Sequence, residues 1–152
     1  MKTLFFCFTF FMGIAASSYC QDSLTDAEKQ EFAKVAQTFQ EKYMDGGENC
    51  DYLMKVIDEN VVLSEIQFTK ELSMTHEMLV QFCPHLPKKE VVSTVSEQRL
   101  LTADMAFDYV SQLYLRKSLG DTVRETSARI WKKKDGVWKI IQLNNSLNKA
   151  CD

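Results

Sequence analysis

The segment Arg129-Ile130-Trp131-Lys132-Lys133-Lys134-Asp135-Gly136-Val137-Trp138-Lys139-Ile140-Ile141-Gln142-Leu143-Asn144-Asn145-Ser146 divides at its Asp-Gly pair into two strand-prone runs. Asp-Gly suits the two-residue turn whose twist matches that of a hairpin, so the runs on either side pair antiparallel. Lys132-Lys133-Lys134, just before the turn, forms its solvated rim. A second turn signal, Leu119-Gly120-Asp121, lies upstream, and the two together make three successive strands an antiparallel meander. From Glu90 onward the texture is β: Val91-Val92, then Met105, Phe107, Tyr109 and Leu113 at even spacing, with Thr and Val plentiful.

The amino-terminal half reads as helix. Thr25-Asp26-Ala27-Glu28 is a capping box, and Phe32, Val35, Ala36, Phe39 and Tyr43 recur at helical spacing until Gly46-Gly47 stops the run. The opposite face is mixed to acidic, which suits a core-facing helix and not a membrane-binding one. A short helix over roughly Asp51 to Asp58 follows, then a β-prone run Val61–Ile66. A third helix opens near Thr75, carries Met78, Leu79 and Phe82 on one face, and is closed by Pro84 and Pro87. One long and two short helices before a run of antiparallel strands describe an α+β domain, with helices covering one face of a strongly bent sheet. Such a sheet leaves a conical cavity, a common place for a small molecule.

Lys2 followed by the apolar run Leu4–Ala16 and the small residues Ala16, Ser17 and Ser18 has the order of a secretory signal peptide, too short for a permanent membrane helix. The expected division is a signal peptide over 1–20 and a single domain over 21–152, secreted and free of the membrane after cleavage. Cutting after Ser18 keeps Cys20, and cutting after Cys20 makes Gln21 the first residue. The disulfide candidates are therefore Cys50, Cys83 and Cys151, with Cys20 added by the earlier cut, and spacing does not choose among the pairings. In the full chain 18 basic residues face 21 acidic ones, a net charge of -3, which argues against a nucleic-acid partner. His76, Cys83 and His85 lack a second close-spaced pair of ligands, so no metal or other cofactor is expected.

With its Arg-apolar-Trp strand, basic Asp-Gly turn and second strand opening on Trp138 and ending at Ser146, the carboxy-terminal segment resembles the closing hairpin of the nuclear transport factor 2-like superfamily. SnoaL-like proteins and the association domain of calcium/calmodulin-dependent kinase share the pattern. Ala103-Asp104-Met105-Ala106-Phe107 looks like the central strand of that fold, and the resemblance spans most of Leu24 to Ser146. It implies a cone-shaped sheet of NTF2-like, cystatin-like architecture and a homodimer, but no single activity, because the scaffold hosts enzymes, adaptors and oligomerisation domains.

The pocket arginine and histidine of that pattern correspond here to Arg129 and Asn144. The asparagine can hydrogen-bond a ligand but cannot titrate near neutral pH. The candidate lining set is Arg129, Asn144, Gln142, Trp131, Trp138 and Tyr109. Arg129 would favour a carboxylate or another polar anion, or else pair with a neighbouring acid. Asn144-Asn145-Ser146 is also a glycosylation sequon, which competes with a pocket role for Asn144.

The leading functional expectation is a small apolar or amphipathic ligand in the cavity, self-association through the sheet, or both, with no catalytic set. An isomerase-like enzyme would need an inward carboxylate, for which Asp58, Glu65, Asp104 and Asp108 are the candidates. A cystatin-like protease inhibitor is the remaining alternative, although the chain lacks a Gln-x-Val-x-Gly hairpin.

Overall fold

The computed structural model describes residues 24–116 and 120–150. The signal-peptide stretch, Cys7, Cys20 and Cys151 lie outside the described residues. Helix α1 spans Asp26–Asp45, and its capping box is formed: Glu28 N donates to Thr25 Oγ1 at 3.2 Å, and Thr25 N donates to Glu28 Oε2 at 2.7 Å. A 3-10 turn at Gly47–Asn49 leads into α2, Cys50–Val56. The expected extension of this helix to Asp58 does not occur, because Ile57 already opens strand β1, Ile57–Gln67, in register with Ile140. Strand β2, Lys70–Ser73, helix α3, His76–Phe82, and a 3-10 turn at Cys83–His85 complete this half.

Four long strands follow: β3 Glu90–Thr102, β4 Met105–Arg116, β5 Asp121–Lys134 and β6 Val137–Lys149. The six-stranded sheet has the order β2-β1-β6-β5-β4-β3. It is antiparallel except where β1 runs parallel to β6. Parallel pairing is possible there because β1 and β6 are joined by a long connection through β2, α3 and the β3–β5 strands and not by a tight hairpin. Asp135 (φ 51) and Gly136 (φ 79) make the β5–β6 turn with both central residues left-handed, as the Asp-Gly pair predicts. Ala103-Asp104, read from sequence as the start of a strand, instead forms the β3–β4 turn.

The core lies between α1 and the sheet. Phe32 and Phe39 meet Trp131 edge-on with ring centroids 5.7 and 5.6 Å apart, and Phe32 lies 5.1 Å from Trp138. Gly46-Gly47 does more than end α1. A Cβ on Gly47 would sit 2.4 Å from the Pro84 carbonyl oxygen, and Gly47 N donates to Leu86 O at 2.9 Å. The two irregular turns therefore touch backbone to backbone, and the Cys50–Cys83 disulfide locks them together, with Cα atoms 5.6 Å apart. Of the cysteine candidates, these two form the pair. The resulting architecture is α+β, with the helices gathered over the concave face of a curved, unclosed sheet.

Candidate functional site

Between the concave face and the helices lies a cavity of about 560 Å³. Its apolar wall is Leu53 and Met54 of α2, Leu72 of β2, Met74, and Met78, Leu79 and Phe82 of α3. Its polar floor is Glu65 and Gln67 of β1, Asn145 of β6, and Ser127 and Arg129 of β5, with Tyr43 of α1 facing them. No residue of α3 is buried, and Phe82 lines the cavity while remaining 54% exposed, so this short helix forms the thin side of the chamber.

Strand parity places the floor residues. Glu65 is in register with Asn145, and Asn145 with Ser127, so three polar side chains lie in one row across β1, β6 and β5. Ser127 Oγ donates to Asn145 Oδ1 at 2.7 Å. One pair further along, Arg129 is in register with Leu143 on one side and Asp108 on the other. Its Nε donates to Asp108 Oδ1 at 2.9 Å and its Nη2 to Oδ2 at 2.5 Å, while Trp131 Nε1 donates to Oδ1 at 2.8 Å. Arg129 is 1% exposed and Asp108 0%. The guanidinium lies 5.0 Å from the Phe39 ring.

A second buried charge cluster adjoins the first. Tyr43 Oη donates to Glu125 Oε1 at 2.6 Å, and Lys89 Nζ lies 2.5 Å from Glu125 Oε2 and 3.9 Å from the centre of the Tyr43 ring. Burial pushes the Tyr43 phenol well up, reinforced by the Glu125 charge, and raises Tyr114 for the same two reasons. Burial also pulls the Lys89 ammonium down, against the opposing pull of Glu125. Glu65 adds to this field: its charge raises both tyrosines and the lysine.

Of the six lining residues expected from sequence, Arg129 reaches the cavity, and it also makes the ion pair offered as the alternative. Trp131 and Trp138 point inward but are sealed beneath α1 as core. Asn144 and Gln142 lie on the opposite, convex face. Trp131 pairs with Ile140 and Ile130 with Gln142, so Ile141 is an extra residue in β6, and the bulge reverses the parity beyond it. Leu143 and Asn145 take the inward positions in their place. Tyr109 is likewise convex, because β4 buries Ala106, Asp108, Val110 and Tyr114 on its inner side. With Asn144 turned outward, the sequon and the cavity no longer compete for one side chain.

The four candidate carboxylates separate clearly. Asp104 sits in the exposed β3–β4 turn, accepting from Thr102 Oγ1 at 2.7 Å. Asp58 is held by Lys134 Nζ at 2.6 Å, and that bond keeps its carboxyl below the usual range. Asp108 is enclosed by Arg129 and Trp131, which leaves Glu65 as the one of the four that lines the cavity. Ser127, Asn145, Glu125 and Lys89 were missed from sequence. The alternation Val123, Glu125, Ser127, Arg129, Trp131 in β5 carried a signal for two of them, since all share the parity of Arg129.

No protein-family model matches the chain, and no curated protein matches its sequence. Solved structures do match. An NTF2-like protein of unknown function from Shewanella baltica has a TM-score of 0.59 at 11% identity, covering 84% of this chain and 99% of its own. The association domain of C. elegans CaMKII has a TM-score of 0.56 at 18% identity, covering 79% and 95%. A hexachlorocyclohexane dehydrochlorinase, LinA type 2, has a TM-score of 0.52 at 12% identity, covering 84% and 94%. The fold is that of the NTF2-like proteins. At these identities the likeness extends to the fold alone, and the side chains of this cavity must carry any functional reading.

Proposed function

We propose that this domain binds a small amphipathic molecule in its conical cavity after export from the cell. The observation that carries the reading is the division of the cavity into an apolar wall from α2, β2 and α3 and a polar row Glu65–Asn145–Ser127 on the floor. A chamber of about 560 Å³ falls within the range that holds drug-sized ligands, where apolar area supplies affinity and a few polar groups fix orientation. Export is supported by the leader-like amino terminus and by the Cys50–Cys83 disulfide, which suits an oxidising compartment.

The test is binding of an environment-sensitive naphthalene probe to the disulfide-intact protein, with and without Leu79→Trp, which fills the chamber from α3. Saturable fluorescence that the substitution abolishes, at unchanged circular dichroism, is the expected result. Fluorescence insensitive to Leu79→Trp would place the probe elsewhere and overturn the reading.

A second reading, self-association through the convex face, is favoured by one observation: Val95 of β3 is 65% exposed on the side of the sheet that also carries Phe107 and Tyr109. Its support from outside this chain is the C. elegans neighbour, an association domain. An enzymatic reading is left with Glu65 as its carboxylate.

A further inference from the structure

Arg129 lines the polar end of the cavity and Lys89 lies behind it against the lining residue Tyr43, and both cations are already committed. Arg129 is bound through two of its nitrogens to Asp108, and Lys89 is bound to Glu125, all four side chains being buried. Each pair is close to neutral when viewed from the chamber. Glu65 is different: it faces the cavity, its polar partner is the Gln67 amide, and it forms no salt bridge with a described residue. Counting these two pairs, which lie in or just behind the floor, together with Glu65, three carboxylates (Asp108, Glu125 and Glu65) stand against two cations (Arg129 and Lys89), so this end of the cavity carries one negative charge without an ion-pair partner among them. His85, the remaining titratable side chain in the lining besides Tyr43, belongs to the 3-10 turn after α3.

The surroundings of Glu65 are asymmetric in a useful way. Across β1–β2 its register partner is Leu72, the first residue of the apolar wall, and on the other side its partner is Asn145. A molecule whose polar head lies at Glu65 therefore runs its tail directly along Leu72, Met74 and Phe82. A carboxylate head would meet the fields of Glu65 and Glu125, while the nearby Arg129 is neutralised by Asp108. We infer that the cavity selects amphipathic amines, with the ligand ammonium paired to Glu65 and an apolar tail along Leu72 and α3. This rests on the cavity-binding reading above and replaces the anion preference that the sequence suggested for Arg129.

The inference is tested by isothermal titration of the mature, disulfide-bonded protein near neutral pH with decylamine, decanol and decanoate, each below its micellar concentration. The three probes share one tail and differ in head charge. Decylamine is expected to bind about tenfold more tightly than decanol, and decanoate most weakly, since a desolvated opposite charge is favoured and a like charge opposed. Glu65→Gln should erase the advantage of the amine and leave decanol binding unchanged. Glu71→Gln, on the far side of β2 in register with Ile66, should leave all three affinities as they were. Decanoate binding as tightly as decylamine, an amine advantage that survives Glu65→Gln, or equal loss in both variants would overturn the headgroup assignment while leaving the cavity a binding site. Absence of binding by all three would overturn the cavity reading itself.

Discussion

Removing one partner of the Asp108–Arg129 pair should be among the most destabilising single changes available in this domain. In Asp108→Asn the guanidinium keeps its place beneath Phe39 but faces a neutral amide, and Trp131 Nε1 loses a charged acceptor. Breaking a buried ion pair from one side costs about 3–5 kcal/mol, a large share of the roughly 5–15 kcal/mol that holds an ordinary domain together. Arg129→Met should cost a similar amount, because it strands the carboxylate. In the double variant neither charge remains to be stranded, so its cost should fall below the sum of the singles by at least about 2 kcal/mol. Urea unfolding with the disulfide intact reads this directly, since a single-variant loss of about 3–5 kcal/mol moves the midpoint by about 1–5 M at unchanged slope. Single losses under about 1 kcal/mol that add in the double variant would refute the reasoning.

Replacing both Cys50 and Cys83 with Ser opens a loop whose ends are 33 residues apart and should lower stability by about 3.5–4 kcal/mol in the chain-entropy account, measured by the same urea titration. Thr69→Gly should raise stability by about 0.5–1 kcal/mol, because Phe68 (φ 46) and Thr69 (φ 79) both hold left-handed backbone that side chains disfavour; a loss in thermal melting would count against this. Asp58 has its carboxyl lowered by Lys134, so it stabilises the fold above its ordinary value of 3.8 and that contribution disappears as pH falls below it. Asp58→Asn should flatten the acid limb of a stability-versus-pH profile, and an unchanged limb would rule out the linkage.

Much of the fold was legible because its signals are local. The Thr25 capping box, the Gly46-Gly47 stop and the Asp135-Gly136 turn each fix their backbone through neighbours in sequence. Strand β2 was not legible, since its hairpin turns through Phe68-Thr69, two residues with no turn signature. The parallel contact of β1 with β6 depends on which edge the meander leaves open, a property of the assembled sheet.

The site was legible only in part for a similar reason. The resemblance places Arg129 and Asn144 in the pocket, and the structure keeps Arg129 there but turns Asn144 and Gln142 to the convex face. The bulge at Ile141 sits between two adjacent isoleucines that give no clue to which faces inward. Tyr109 misled because apolar side chains usually mark the buried face. Here β4 turns Met105, Phe107 and Tyr109 outward and buries Asp108, an inversion allowed by Arg129 and Trp131 waiting on the next strand. That compensation spans strands, and no window along one strand reveals it.

Whether the cavity holds a ligand in the protein as cells make it is read most directly by native mass spectrometry of the chain secreted from a eukaryotic host. The expected spectrum shows a disulfide-bonded mature chain with a nonpeptide adduct on the order of a few hundred daltons, absent from Leu79→Trp. Bare wild-type protein, or an adduct that Leu79→Trp retains, would contradict it.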